Sequence, residues 1–311
     1  MKYPKLLEKN DDIGITALSS GASDSVETMK EAIKNLEKYF NVYATQNVYG
    51  SYIVSSTTQE RVKELNELIA KKVKLILLAR GGDYLYEILD YLDFDLIKNS
   101  NIWFEGASDA TGLLYILTTK YDIATIYGKN AKRFSELTID NQININLLQN
   151  NLIKQTNFKD RDVLSVNGNF TDTGIIIGGC FDSIKNIIGT KFDNTNKFIE
   201  KYRDKKIIWY FDIFAMNSLD VYLSLLQLKY AGWFKYSDTF IFGSIMFETI
   251  YGNITYEDAI KKALSDKKNI ILNANIGHID PVNIIINGSL AKIKYDNGNY
   301  ELIEEFIDSQ N

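Results

Sequence analysis

The first half of the chain alternates short aliphatic, β-branched runs with longer segments of helical period, and that alternation leaves few folds open. Apolar runs at 12–19, 40–45, 73–79 and 102–107 are too short for ordinary helices and are bounded by polar or glycine-containing turns, as strands are. Between them, 26–40 and 57–72 place apolar residues at spacings of three and four with charge on the opposite face, and 112–121 follows the fourth run as a further helix. Strands joined by helices predict a parallel sheet with crossover connections, in which ligands bind at the carboxyl ends of the strands.

Beyond this region the pattern changes. Residues 129–173 are Asn-rich, with no strong periodicity, and predict an irregular connection. After them come strand-like runs at 174–179, 206–214, 239–243, 269–275, 283–289 and 291–296, with an amphipathic segment at 219–232 and an Asn287–Gly288 turn. At 311 residues the chain exceeds the roughly 100–200 residues of one domain. The expected architecture is α/β: an N-terminal parallel-sheet α/β domain over 1–150 and a C-terminal mixed, β-rich α/β domain over 170–311, joined by 129–173.

Charge and composition narrow the function. Lys and Arg (35) are scattered among Asp and Glu (40), so no basic stripe offers itself to a phosphate backbone, and nucleic acid is not an expected partner. The N-terminal residues lack a signal-like apolar core, and no stretch approaches the ~18 apolar residues of a membrane span. A cytoplasmic protein without a membrane partner is expected. The single cysteine, Cys180, excludes an internal disulfide, and one His with one Cys falls short of a zinc site; no metal or cofactor is expected.

Four segments carry candidate chemistry. Ser108 lies between the apolar run ending at Ala107 and the helix at 112–121, where a nucleophile elbow would place it, and the Asp109 amide would be a helix-start donor suited to an oxyanion. Gly106-Ala107-Ser108-Asp109-Ala110 lacks the last glycine of that motif, so on local grounds a simple helix cap by Ser108 or Asp109 is the more ordinary reading. Arg80-Gly81-Gly82 follows the run at 73–79 and precedes a helix starting near Asp83. Gly82 is a candidate second oxyanion donor, and Arg80 and Gly81 are candidate substrate contacts; an ordinary turn is the alternative. His278, the only histidine, sits on a loop flanked by Gly277 and Pro281 and is the obvious general base for a serine. Asp212 terminates the run 207–212, where a carboxylate would seek a partner such as an imidazole N–H; capping of the next segment is the alternative.

Taken in order, GITALSSGA, ARGGD, FEGASDATGLLY, KYDIATIYG, IIGG, IIWYFD, LKYAGWF, FIFG and NIGH resemble the LD-carboxypeptidase family over most of the chain. That family includes muramoyl-tetrapeptide carboxypeptidases and microcin C self-immunity peptidases. The resemblance implies a serine carboxypeptidase with a Ser-Glu-His triad, Ser108 falling on the nucleophile and His278 on the histidine. It implies as substrate a murein peptide or another small peptide, cleaved next to a free carboxylate, and a homodimer. The acid falls on Asp212, one methylene shorter than the family's Glu, so the backbone must move in or the imidazole must shift toward it. Leu18 and Ser244-Ile245 also depart from the family's Pro and Arg-Pro. Two alternatives follow. One is an immunity peptidase acting on peptidyl or aminoacyl nucleotides, with Trp233 and Phe234 as candidate base platforms against a packing role. The other is a peptide-binding homologue weakened at Asp212.

Overall fold

A computed structural model describes residues 1–149, 154–159 and 161–306. The chain divides into two compact units, Met1–Leu152 and Ile153–Asn311.

In the first unit the strands are β1 (Asp12–Thr16), β2 (Asn41–Ala44), β3 (Leu75–Leu78), β4 (Trp103–Gly106) and β5 (Thr125–Tyr127). They lie side by side in the order β2-β1-β3-β4-β5, every neighbouring pair parallel. The helices are α1 (Val26–Leu36), α2 (Thr58–Ala70), α3 (Phe94–Ser100), α4 (Thr111–Tyr121) and α5 (Ile139–Gln149). β3 and β4 are buried at every position, as expected of central parallel strands covered on both faces. The Thr57 hydroxyl accepts the Glu60 N–H and starts α2; Asn101 in left-handed geometry (φ 57°) ends α3. α4 is buried from Thr111 to Thr119.

Two local expectations differ from the structure. The segment after Gly82 is a 3₁₀ helix, Leu85–Tyr91, because its first amides are drawn aside: Tyr84 N–H donates to Ser19 Oγ (3.0 Å) and Leu85 N–H to Asp109 Oδ2 (2.9 Å). Within 129–173, predicted irregular, Ile139–Gln149 is helical despite its Asn and Ile content. Buried polar contacts hold it: Lys129 Nζ lies 2.5 Å from Asp140 Oδ2, Asn141 Nδ2 donates to the Arg133 carbonyl (2.8 Å), and Asn144 Nδ2 donates to Glu105 (2.6 Å).

The second unit contains β6 (Lys154–Thr156), β7 (Leu164–Ser165), β8 (Phe170–Cys180), β9 (Ile207–Asp212), β10 (Thr239–Gly243), β11 (Asn269–Ala274), β12 (Ile285–Asn287), β13 (Leu290–Asp296) and β14 (Asn299–Glu305). Its helices are α6 (Phe181–Ile184), α7 (Thr195–Lys201), α8 (Ser218–Tyr230) and α9 (Tyr256–Ala263). Eight strands form a mixed sheet in the order β6-β14-β13-β8-β9-β10-β11-β7. The long strand β8 joins its two characters: 170–175 pairs antiparallel with β13, and 175–180 pairs parallel with β9. β9, β10 and β11 continue the parallel part. The final strand went unread in the sequence, although Asn297 (φ 46°) and Gly298 (φ 85°) form the two-residue turn that an Asn-Gly pair announces. Among the described residues, no helix is long and apolar enough to cross a membrane.

Candidate functional site

In the first unit, parallel pairing delivers four loops to one edge of the sheet: 17–20 after β1, 79–83 after β3, 107–108 after β4 and 128–130 after β5. Ala107 is extended (φ −140°, ψ 172°), Ser108 is left-handed (φ 64°), and a 3₁₀ turn, Ser108–Ala110, runs directly into α4. Positive φ in a residue with a Cβ costs about 1–2 kcal/mol, and strain of this kind is the mark of a strand–nucleophile–helix elbow. The helix-cap reading fails, since no side-chain cap bond is made at this turn.

The 79–83 loop lies against Ser108. A Cβ on Gly81 would fall 2.8 Å from Ser108 Cβ and 3.0 Å from its Oγ, so only glycine fits. Gly82 has φ 145°, and a Cβ there would stand 2.3 Å from Ser20 Oγ and 2.4 Å from Ser19 Oγ. Asp109 turns its carboxylate away from the turn's open side, accepting from Ser19 Oγ (2.6 Å) and Leu85 N–H (2.9 Å); burial pushes its pKa up to about 6. Arg80 is occupied within its own unit: Nη1 lies 2.6 Å from Asp24 Oδ1 and donates to the Gly21 carbonyl (3.4 Å). The Arg80 hydrogen bond holds Asp24 below the usual carboxylate range.

In the second unit, the carboxyl ends of β8 to β11 gather Cys180, Asp212, Gly243 and the loop 275–283 that carries His278. Asp212 is fully buried, and its Oδ2 lies 2.7 Å from His278 Nδ1, with the ring N–H turned off the line joining the two atoms. The distance is that of a charge-assisted contact. The backbone passes close over the acid: at Gly277 (φ 106°) a Cβ would stand 2.2 Å from Asp212 Cγ. Phe214 packs on the imidazole, ring centroids 4.5 Å apart, and is itself fixed by its N–H to Asp182 Oδ2 (2.8 Å).

The histidine loop is tied down along its length. Asn275 donates through Nδ2 to the Pro281 carbonyl (3.2 Å), and Asn275 N–H and Asn283 Nδ2 both donate to the buried Tyr300 hydroxyl (3.2 and 2.8 Å). Arg161 donates to the Ile279 carbonyl and to Ser244 Oγ (3.0 Å). Cys180 is buried, its thiol pushed up by desolvation and next by Asp212, which makes it unreactive. Trp233 and Phe234 are core residues, Trp233 stacked on Trp209 (5.8 Å) and Phe234 set edge-on to it (5.5 Å), so neither forms a platform for a base. Among the described residues, no cluster of three or more His, Cys, Asp or Glu side chains could hold a metal ion.

Sequence reasoning singled out Arg80, Gly81, Gly82, Ser108, Asp109, Asp212 and His278; it did not single out Asn130, Arg161, Phe214 or Tyr300, which carry no motif and act through distant partners.

Residues 13–128 match the LD-carboxypeptidase N-terminal domain and residues 173–293 the LD-carboxypeptidase C-terminal domain. A Vibrio cholerae relative, provisionally named a carboxypeptidase, is 30% identical over 135 residues, a stretch spanning 41% of this chain and 40% of that protein's length. The fold is shared with an MccF-like protein of Bacillus anthracis (TM-score 0.82, 23% identity, 98% of this chain and 100% of that one). It is shared also with the microcin C7 self-immunity protein MccF solved with aspartyl sulfamoyl adenosine (0.81, 19%, 98% and 100%). A muramoyltetrapeptide carboxypeptidase of Oxalobacter formigenes aligns as well (0.81, 18%, 94% and 98%).

Proposed function

Since the chain belongs to the LD-carboxypeptidase family, we propose that it is a serine carboxypeptidase cleaving the L,D amide bond before the terminal D-alanine of murein tetrapeptides, with Ser108, His278 and Asp212 as its triad. The observation that carries this reading is the left-handed Ser108 at a strand-to-helix turn. Such strain persists where a nucleophile must project from a sheet edge.

The mechanism follows from the residue types. Ser108 Oγ attacks the scissile carbonyl carbon as His278 Nε2 takes its proton. The amide N–H groups of Asp109 and Gly82 receive the oxyanion. Collapse of the tetrahedral species breaks the C–N bond, and the imidazolium returns its proton to the departing amine. Water, deprotonated by His278, then attacks the Ser108 ester and releases the shortened peptide as an acid. Asp212 stabilises the imidazolium and fixes its tautomer, for which its 2.7 Å approach to Nδ1 is suited. Recognition of the free carboxylate is assigned to the loop edge that carries Arg80 and Lys132, where burial and Arg80 pull the Lys132 ammonium below its usual range and Asp24, paired with Arg80, opposes them.

The buried positions of Trp233 and Phe234 favour a peptide over a nucleotide conjugate. The approach of Asp212 to His278 favours a working enzyme over a silent binding homologue. A cytoplasmic homodimer acting on recycled wall peptides completes the proposal, its assembly state readable by light scattering. Incubation with murein tetrapeptide should release D-alanine by mass spectrometry, and Ser108→Ala should lower the rate at least about 10³-fold. An unchanged rate in that variant would sink the assignment.

A further inference from the structure

Ser108 holds a backbone angle that its own residue type disfavours, so groups outside the residue must impose it. The angle φ of Ser108 is set by the orientation of the Ala107–Ser108 peptide plane, and both polar groups of that peptide are held. Its carbonyl accepts from Asn130 Nδ2 (3.3 Å), and its N–H donates to the Tyr127 hydroxyl (3.4 Å). Asn130 also accepts the Ala107 N–H on Oδ1 (3.0 Å). In an extended residue the N–H and C=O face the same way, so one carboxamide can satisfy both as a neighbouring strand would. β4 and β5 pair up to Gly106 and Tyr127, and Gly128 N–H donates to the Gly106 carbonyl (3.1 Å). Successive strand residues turn these groups to opposite edges, so with Gly106 bonded toward β5 those of Ala107 face the β3 edge, where backbone pairing ends at Leu77 and Glu105 and the Asn130 side chain supplies the missing rung.

We propose that Asn130 is a positioning residue for the nucleophile: its carboxamide supplies a rung on the β3-facing edge of β4, beyond the last backbone pair, and sets the peptide plane that holds Ser108 in its left-handed turn. The surroundings are shaped to this contact. A Cβ on Gly106 would lie 3.1 Å from Asn130 Oδ1, within the tight range, so glycine leaves the carboxamide its place. The turn that presents Asn130 is anchored from beneath by Glu105, whose Oε1 accepts the Lys129 N–H (3.2 Å) and Asn144 Nδ2 (2.6 Å). Gly128 lies so close over that carboxyl that a Cβ would stand 2.4 Å from Oε1. Asn130 itself is 8% exposed, so water does not compete for its bonds.

The catalytic consequence rests on the serine carboxypeptidase reading, whereas the backbone consequence does not, and the experiment reads the two separately. In Asn130→Ala, amide hydrogen exchange at Ala107 and Ser108 should quicken at least about tenfold, with the rest of the sheet unchanged. On murein tetrapeptide, kcat should fall on the order of 10²-fold while KM stays within about twofold, and labelling of Ser108 by a serine-directed phosphonate should slow in step with kcat. Asn130→Asp keeps the acceptor for the Ala107 N–H and loses the donor; it should fall between wild type and Asn130→Ala, and it carries the test if the alanine variant fails to fold. Unchanged exchange at 107–108, or turnover and labelling at the wild-type rate, would overturn the proposal. A wild-type protein that neither cleaves tetrapeptide nor takes the label refutes the carboxypeptidase reading instead, and exchange alone then decides the role of Asn130.

Discussion

Asp212 sits in a space fitted to its length. A glutamate there would extend the side chain by about 1.5 Å, toward an imidazole whose Nδ1 already lies 2.7 Å from Oδ2 and beneath a backbone that leaves no room for a Cβ at Gly277. Asp212→Glu should therefore lower kcat, by on the order of 10²-fold if the imidazole is displaced by an ångström. Steady-state hydrolysis of murein tetrapeptide measures it, and a gain would mark the aspartate as a defect rather than an adaptation. The identity of Asp212 was legible in the sequence; its surroundings were not. They consist of a main-chain approach at Gly277 and a loop held by Arg161, Asn275 and Tyr300. Arg161 and Tyr300 lie 118 and 25 positions from the groups they hold, and no local pattern links such partners.

At the level of elements, strands and helices with a dense apolar period were legible, since 73–79 and 102–107 became β3 and β4 and 112–121 lies within α4. α5 was not, because Asn and Ile favour turns and strands and the helix draws its stability from tertiary contacts. Its principal anchor is the ion pair of Lys129 and Asp140, each 1% exposed. Asp140→Ala leaves the buried ammonium without that carboxylate and should cost about 3–5 kcal/mol in urea unfolding. Lys129→Met combined with Asp140→Leu should recover most of the loss, since desolvation of the pair consumes much of its Coulombic gain. If the double variant is as unstable as the single one, α5 depends on the charges themselves rather than on the filled volume.

For the molecule as a whole, buried acids set the dependence of stability on pH. Desolvation raises Glu304 to about 8, Glu105 to about 7 and Asp109 to about 6. Unfolded, these groups ionise near their ordinary values, so between about pH 4.5 and 8 the unfolded chain binds fewer protons than the folded one. Their contribution is then fully present below the unfolded pKa and is lost as pH rises through the folded values. The melting temperature should fall from pH 5.5 to pH 8.5, and Glu304→Gln, which retains an acceptor for Ile286 N–H and Ser289 Oγ, should flatten that slope. An unchanged slope would mean that Glu304 ionises without cost. By itself the sequence determined the α/β class, the succession of strand and helix in the first half, and the residue types of the proposed site, because apolar period and motif spacing are local properties. Only the tertiary structure decided the left-handed turn at Ser108, the reach of Asp212 to His278 and the rung supplied by Asn130. Each depends on a close approach between segments far apart in the chain, and a close approach is fixed by packing rather than by the order of residues.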